Sequence, residues 1–448
     1  MIEDALACAT DTKACVIGAG AIEETANMFR DLFPQAQRAI VVDDPRTRAV
    51  AGERVLAILR QAGIETAEHI ICPDGSWFHA EYRWIDEVRS AFAAHQGAVP
   101  IAVGSGTIND TVKRSAEELG IRYMVVGTAA SMDGYTSYGA SITKDGIKQT
   151  MPCRAPLGCI VDSEIAARAP KEMVAAGYAD LIAKIPAGAD WILADAIGSE
   201  AIHKNAWRFV QEPLRDSLKN PAACAAGDVG ETEKLCSGLV MSGFAMQAMN
   251  SSRPASGTEH QFSHYWDMED LCYQGRPVSH GFKVGIGTLA STATLEFLLE
   301  HDLTKLDIDA TIARWWPSFD ALKATFPQVF KNRPAHIARA ESEMKAKYST
   351  PAELRQEFEI LRAKWGELSR QMREQILSFK EVKAALRAVG APAEPEEIGV
   401  SRERFRETFL GVPYMRNRYF ALDLVSRLGL LPQLLDRLFG RGGVWEIA

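Results

Sequence analysis

The chain has 448 residues, 47% of them hydrophobic and 24% charged, and a net charge of −8. That length exceeds one ordinary hydrophobic core and predicts about two or three domains of globular composition. The negative balance argues against a broad nucleic-acid surface, whose affinity rests on Lys and Arg against phosphate, but it leaves room for a local basic pocket.

The opening stretch, MIEDALACATDTKACVIGAG, begins acidic and has no basic flank before an apolar run, so it does not read as a signal peptide. No segment looks like the roughly 20 apolar residues that span a bilayer. Eight cysteines without a C-x-x-C pair fit reduced thiols. These features predict a cytoplasmic protein with no membrane insertion and no nucleic-acid partner.

In chain order, the first third alternates β-branched runs with helical stretches. The predicted strands are 14–18, 39–44, 69–72, 100–106, 122–127 and 157–162, with a helix in TRAVAGERVLAILRQAG stopping at Gly63. Strands separated by helices predict an α/β domain with a parallel sheet over 1–165. From about residue 165 the strand signals stop, and 166–448 reads as an all-α domain, with a cleft between the two as the expected ligand site. One helix start is well marked: Thr350 as N-cap, Pro351 at the first position and Glu353 three after the cap. Leu354, Phe358, Leu361, Trp365 and Leu368 keep helical spacing after it, and the charges over 340–390 read as solvated helix faces. Gly390 and APAEPEE break the pattern before another helix near Ser401.

Four stretches carry chemistry. In AIVVDD, Asp43 ends a strand where a carboxylate could accept the adenine-ribose diol, which would favour NAD over NADP. In VGSGTIND (103–110) a strand runs into a Gly104-Ser105-Gly106 turn and a helix opens, an arrangement that exposes backbone N–H groups to a phosphate. The third glycine of the dinucleotide fingerprint is missing, so a standard Rossmann site is not indicated. In TAASMDGYTS (128–137), Thr128, Ser131 and Ser137 could hydrogen-bond a cofactor and Asp133 a substrate hydroxyl; an ordinary Asp-Gly turn fits as well.

The fourth is RPASGTEHQFSH (253–264). His260 and His264 lie one turn apart on a helix and His280 follows, a cluster in a chain with nine histidines. That spacing suits two ligands to one metal, or one ligand and a second role. Asp180, on the apolar helix GYADLIAK, is the natural carboxylate to add, because an uncompensated charge there would be costly. Such nitrogen and oxygen donors suit zinc, nickel or ferrous iron.

Taken in order and spacing, VGSGTIND, TAASMDGYTS, ADLIAK, RPASGTEHQFSH and HGFKVGIG resemble the sn-glycerol-1-phosphate dehydrogenases of the iron-containing alcohol dehydrogenase superfamily. The tail from EEIGVSRERF to RYFALDLVSRLGLL is similar to the bacterial branch. The resemblance implies an NAD- or NADP-binding N-terminal domain, a helical metal domain and one divalent cation held by Asp180, His260 and His280. His264 then takes the second role, toward substrate, with Asp133 as a substrate contact. Gly104, Ser105, Gly106, Thr107 and Ile108, with Thr128, Ala129, Ala130, Ser131 and Ser137, look like cofactor contacts.

The implied reaction interconverts sn-glycerol 1-phosphate and dihydroxyacetone phosphate, and the implied assembly is a homo-oligomer, a dimer favoured. An unphosphorylated polyol as substrate, a dehydroquinate-synthase-like lyase and a non-catalytic nucleotide-binding protein are the alternatives. Lys148, Lys184, Arg253 and Lys283 are candidate cations for a substrate phosphate. Two departures from the family pattern are Ala179, where Gly is expected, and a surplus of chain around 300–390.

Overall fold

The computed structural model of the chain describes residues 1–144 and 147–447, with only the backbone at 147 and 148, so the Lys148 side chain lies outside the described residues. Two compact units are formed. The first comprises residues 1–181, 204–255 and 388–390, and the second comprises 182–203, 256–387 and 391–448.

The first unit is built on β1 (Ala14–Gly18), α1 (Thr25–Leu32), β2 (Arg38–Asp43), α2 (Glu53–Gln61), β3 (Glu65–Ile70), α3 (Tyr82–Ala94), β4 (Val99–Gly104), α4 (Gly106–Glu118) and β5 (Met124–Gly127). A hairpin of β6 (Ala140–Lys144) and β7 (Ile147–Met151) precedes β8 (Gly158–Asp162). The six long strands make one sheet in the order β1-β8-β5-β4-β2-β3, and every pair is parallel. Parallel strands covered by helices are buried on both faces, which explains continuous runs such as PIAV in β4 and MVV in β5. Phe29, Val55 and Leu59 pack on Val41, Ile101, Val103 and Val126 to form the core of one face.

The expected strands were placed within a residue or two, except the third. Its observed span, ETAEHI at the sheet edge, carries alternating partial exposure rather than an apolar run. The β6–β7 hairpin had no counterpart in the sequence reading.

After β8 the chain enters α5 (Lys171–Ile182), and α6 (Lys184–Ala196) belongs to the second unit. Two more helices of the first unit follow, α7 (Lys204–Ser217) and α8 (Val229–Met249). The second unit continues with α9 (Thr258–Asp267), a short exposed hairpin of β9 (Cys272–Tyr273) and β10 (Arg276–Pro277), and α10 (His280–Leu299). Its long helices include α11 (Pro334–Lys347), α12 (Pro351–Gln375) and α13 (Arg402–Gly411), followed by α14 (Ala421–Arg427) and α15 (Leu431–Phe439).

The capping box at α12 forms as the sequence indicates: Thr350 Oγ1 accepts the Glu353 N–H and Glu353 Oε2 accepts the Thr350 N–H. Leu354, Phe358, Leu361, Trp365 and Leu368 are its buried face. Contrary to the sequence reading, one helix among the described residues is apolar and long enough to cross a bilayer. That helix is α10, with a mean hydropathy of 1.2, and 89% of its apolar window is buried inside the protein. A core helix enclosed on all sides has the same apolar signature.

Candidate functional site

In the first unit, β4 ends at Gly104, Ser105 is the extended N-cap and α4 starts at Gly106. A Cβ on Gly104 would lie 2.7 Å from the Ile108 side chain, so glycine lets the helix fold back tightly over the strand end. Ser105 does not cap its helix through its side chain; its Oγ meets the Ser131 Oγ across the neighbouring loop. The Thr128 N–H donates to the Gly104 carbonyl, and Tyr135 OH donates to the Ala129 carbonyl.

Gly104–Ile108 and Thr128–Ser131 are therefore brought together at adjacent strand ends. Of these, Ser105, Gly106, Thr107 and Ser131 keep partial exposure, whereas Ile108, Thr128, Ala129 and Ala130 are buried.

Two other expected contacts are drawn inward. Ser137 is buried and its Oγ donates to the Gly134 carbonyl. Asp43 is fully buried at the end of β2, where its Oδ1 accepts from Arg48 Nε at 3.1 Å. Its Oδ2 has no hydrogen-bond partner and lies against Gly52, where a Cβ would come within 2.2 Å. Burial outweighs the Arg48 guanidinium and pushes the carboxyl up to about 7.

Lys113 was not singled out from sequence. It is almost wholly buried, and its ammonium donates to the carbonyls of Gly134, Ser137 and Gly139 at 3.0–3.1 Å. Three donors meeting three carbonyls is the full capacity of an ammonium. The signal available was a lysine on the apolar face of α4, one turn after Asn109, whose side chain reaches the same Gly134 carbonyl.

Asp133 and Asp180 meet in this unit: the Asp133 N–H donates to Asp180 Oδ2 at 3.2 Å, and Ser242 Oγ donates to Asp133 Oδ2 at 3.2 Å. Two glycines permit that approach. A Cβ on Gly177 would sit 1.9 Å from the Ala130 carbonyl oxygen, and one on Gly243 would sit 2.3 Å from Thr136 Oγ1. Thus α5 and α8 both press onto the 130–136 loop, and Asp180 follows Gly177 by one turn.

In the second unit the start of α9 is locked by carboxylates. Asp190 of α6 is fully buried; its Oδ2 accepts the Thr258 N–H and its Oδ1 accepts the Ala421 N–H, both at 2.7 Å. Gly257 is the N-cap because a Cβ there would lie 2.6 Å from Asp190 Oδ2 and 2.8 Å from the Ala187 Cα.

From this anchor the three histidines converge. The His260 ring centroid is 5.3 Å from that of His280 and 6.4 Å from that of His264. His260 Nδ1 lies 2.8 Å from Glu259 Oε1, and His280 Nδ1 lies 3.3 Å from Ser263 Oγ. Each ring therefore has Nδ1 engaged by a protein oxygen, the outer contact that orients a metal-binding imidazole and leaves Nε2 for a ligand.

His264 keeps 40% of its side chain exposed, with Nδ1 3.8 Å from Asp267 Oδ2. Desolvation, with Arg416 and His260 adding, holds it below the usual imidazole range against the pull of Asp267, so it is neutral near pH 7. Of the candidate phosphate cations, Lys184, Arg253 and Lys283 are all buried, and Lys283 pairs with Asp267.

His260 and His280 pair two imidazole donors within the second unit, and Asp180 offers a buried carboxylate in the first. Two imidazoles and one carboxylate, with both Nδ1 atoms already held, fit a divalent cation.

The comparisons with known proteins agree with this chemistry. The family model described as iron-containing alcohol dehydrogenase matches residues 16–170. A glycerol-1-phosphate dehydrogenase, NAD(P)+, from Bacillus licheniformis is 28% identical over 429 residues, which is 96% of this chain and 92% of that one. The protein of the same name from Bacillus velezensis is 34% identical over 292 residues, covering 64% of this chain and 72% of the relative. Among solved structures, a probable glycerol dehydrogenase from Sinorhizobium meliloti superposes with a TM-score of 0.58 at 16% identity, over 94% of this chain and 96% of that one, which speaks for the fold alone.

Proposed function

Because the chain belongs to the glycerol-1-phosphate dehydrogenase family, we propose that it interconverts sn-glycerol 1-phosphate and dihydroxyacetone phosphate with NAD or NADP and one divalent metal ion. The observation that carries this reading is the imidazole pair of the second unit, His260 and His280, with ring centroids 5.3 Å apart and each Nδ1 held by a protein oxygen.

Asp180, His260 and His280 hold the cation, which is zinc, nickel or ferrous iron by the donor chemistry. When bound, such a cation supplies Lewis acidity toward the oxygen of the secondary alcohol. His264, one turn further along α9, neutral and partly exposed, accepts a proton from the alcohol on oxidation and returns it on reduction, directly or through water. Asp133 accepts a substrate hydroxyl while its own N–H and Ser242 fix its position.

The Gly104–Ile108 turn presents backbone N–H groups of the α4 start to the cofactor pyrophosphate, and Ser131 adds a hydroxyl. Ser137 supports this surface indirectly by holding the Gly134 carbonyl. A role for Asp43 toward the adenine ribose would require the turn that carries Arg48 and Gly52 to open, so the nucleotide reading rests on 104–108 and 128–131. A homo-oligomer, as a dimer, belongs to the same proposal.

The test is NADH and NADPH oxidation by chelator-stripped protein with zinc or nickel restored, using dihydroxyacetone phosphate beside dihydroxyacetone. Turnover that depends on metal and is confined to the phosphorylated ketone is the expected result. Turnover only with the unphosphorylated ketone would move the chain to polyol dehydrogenases, and turnover undiminished in stripped protein would sink the metal assignment.

A further inference from the structure

Glu259 has no place in the chemistry described so far, yet its surroundings are unusual for a carboxylate. It is fully buried in the first turn of α9. Oε1 accepts the Gly257 N–H at 2.5 Å and lies 2.8 Å from His260 Nδ1. Oε2 is buried with no hydrogen-bond partner. Behind it α10 crosses so closely that a Cβ on Gly287 would lie 2.2 Å from the Glu259 carbonyl oxygen. The residue is thus fixed from both sides, and α10 is the helix that begins with His280.

A fully buried carboxylate with one oxygen unmatched is costly unless positive charge offsets it. The helix start supplies part of that offset through its partial positive charge. A carboxylate that served only the helix would gain as much at the surface, with solvent on the second oxygen. Here it is turned onto the imidazole of His260.

Building on the metal reading above, we propose that Glu259 is a positioning residue for the cation held by Asp180, His260 and His280. It fixes His260 in the form protonated at Nδ1, so that the Nε2 lone pair faces the cation. It also adds a second carboxylate, so that Asp180 and Glu259 together balance a divalent charge across two neutral imidazoles. The cation then adds to the offset that the helix start already gives this carboxylate.

The test compares Zn²⁺ affinity, by competition with a chromophoric chelator, and thermal midpoints with and without Zn²⁺, in the wild type, Glu259→Gln and His260→Ala. The amide keeps the size of the side chain and its acceptor oxygen but removes the charge. Glu259→Gln is expected to weaken Zn²⁺ binding by about 10- to 100-fold, the usual effect of losing an outer carboxylate. Its metal-free midpoint should stay within about 2 °C of wild type or rise, because a buried charge is gone.

An unchanged Zn²⁺ affinity, with His260→Ala having lost the metal, overturns the role of Glu259 while leaving the metal site intact. A metal-free midpoint that falls as far as the loaded one reduces Glu259 to a helix cap. If the wild type takes up no Zn²⁺, or His260→Ala retains it, the metal reading itself fails and this inference goes with it.

Discussion

Two helix starts in this chain are built in opposite ways. At α4 the N-cap is a serine whose hydroxyl is spent on Ser131, two glycines flank it, and the first turn stays partly exposed. At α9 the N-cap is a glycine with no side chain, yet the turn is closed by Asp190 and Glu259 and is wholly buried. Both starts carry the same backbone donors and the same partial positive charge. The open one remains available to an anionic group from outside. The closed one uses the protein's own anions to make a rigid mount for side chains. Under the proposed function, binding at the first would draw on backbone, and at the second on imidazole and carboxylate.

The largest test of this contrast is Asp190→Ala. It leaves two buried N–H groups, of Thr258 and Ala421, without their charged acceptor, and a loss of about 3–5 kcal/mol in stability is expected by urea unfolding. A loss below about 1 kcal/mol would show that the α9 start is not held by this carboxylate. Lys113→Met probes the support of the open start, removing three hydrogen bonds to the 134–139 carbonyls, and about 2–4 kcal/mol is expected.

Glycine substitutions sharpen the comparison further. Gly257→Ala forces a Cβ against the Ala187 backbone and Asp190, and should cost about 2 kcal/mol. Gly106→Ala meets only the Met132 side chain at 3.2 Å, so the fold should lose less than about 1 kcal/mol. Its effect should appear instead as a rise of about tenfold in the KM for NADH, the sign of lost backbone approach. Equal effects of the two substitutions on stability would erase the distinction.

The smallest effect concerns Asp43, the acidic residue nearest the nucleotide side by sequence. Its carboxyl is raised from 3.8 to about 7, so between these values the folded state binds more protons than the unfolded state. Stability from this group is complete below about pH 4 and is lost as pH rises through about 7. Asp43→Asn removes that dependence, so the variant should gain about 1 kcal/mol on wild type between pH 6 and pH 7.5, read from paired urea curves. No change in the difference would mean that Arg48 keeps Asp43 ionised throughout.

What was legible in the sequence follows from distance along the chain. The parallel strands, the Thr350 capping box, the start of α13 after Ser401 and the histidines of α9 are written in neighbouring residues, and the structure places them close to where they were expected. The edge strand β3 was misplaced because an edge needs no apolar run; its ETAEHI is half exposed. Lys113, Gly177 and Gly243 escaped notice because their partners lie about twenty to a hundred residues away: Gly177 meets Ala130 and Gly243 meets Thr136. A glycine inside a helix or a charge on an apolar face signals that some partner exists. It does not say which one.

The Asp190–Ala421 hydrogen bond sets an order on how the protein comes to life. Their separation of 231 residues is among the longest closures in the molecule that touch the histidine helix. During synthesis, α6 and α9 emerge long before α14, so Asp190 can cap Thr258 early but must wait for residue 421 to satisfy its other oxygen. Contacts of this range form late, after the entropy of a long loop has been overcome. A chain truncated before residue 421 would leave that buried carboxylate oxygen without its backbone donor, so the mount of the histidine helix depends on a segment far from it in sequence.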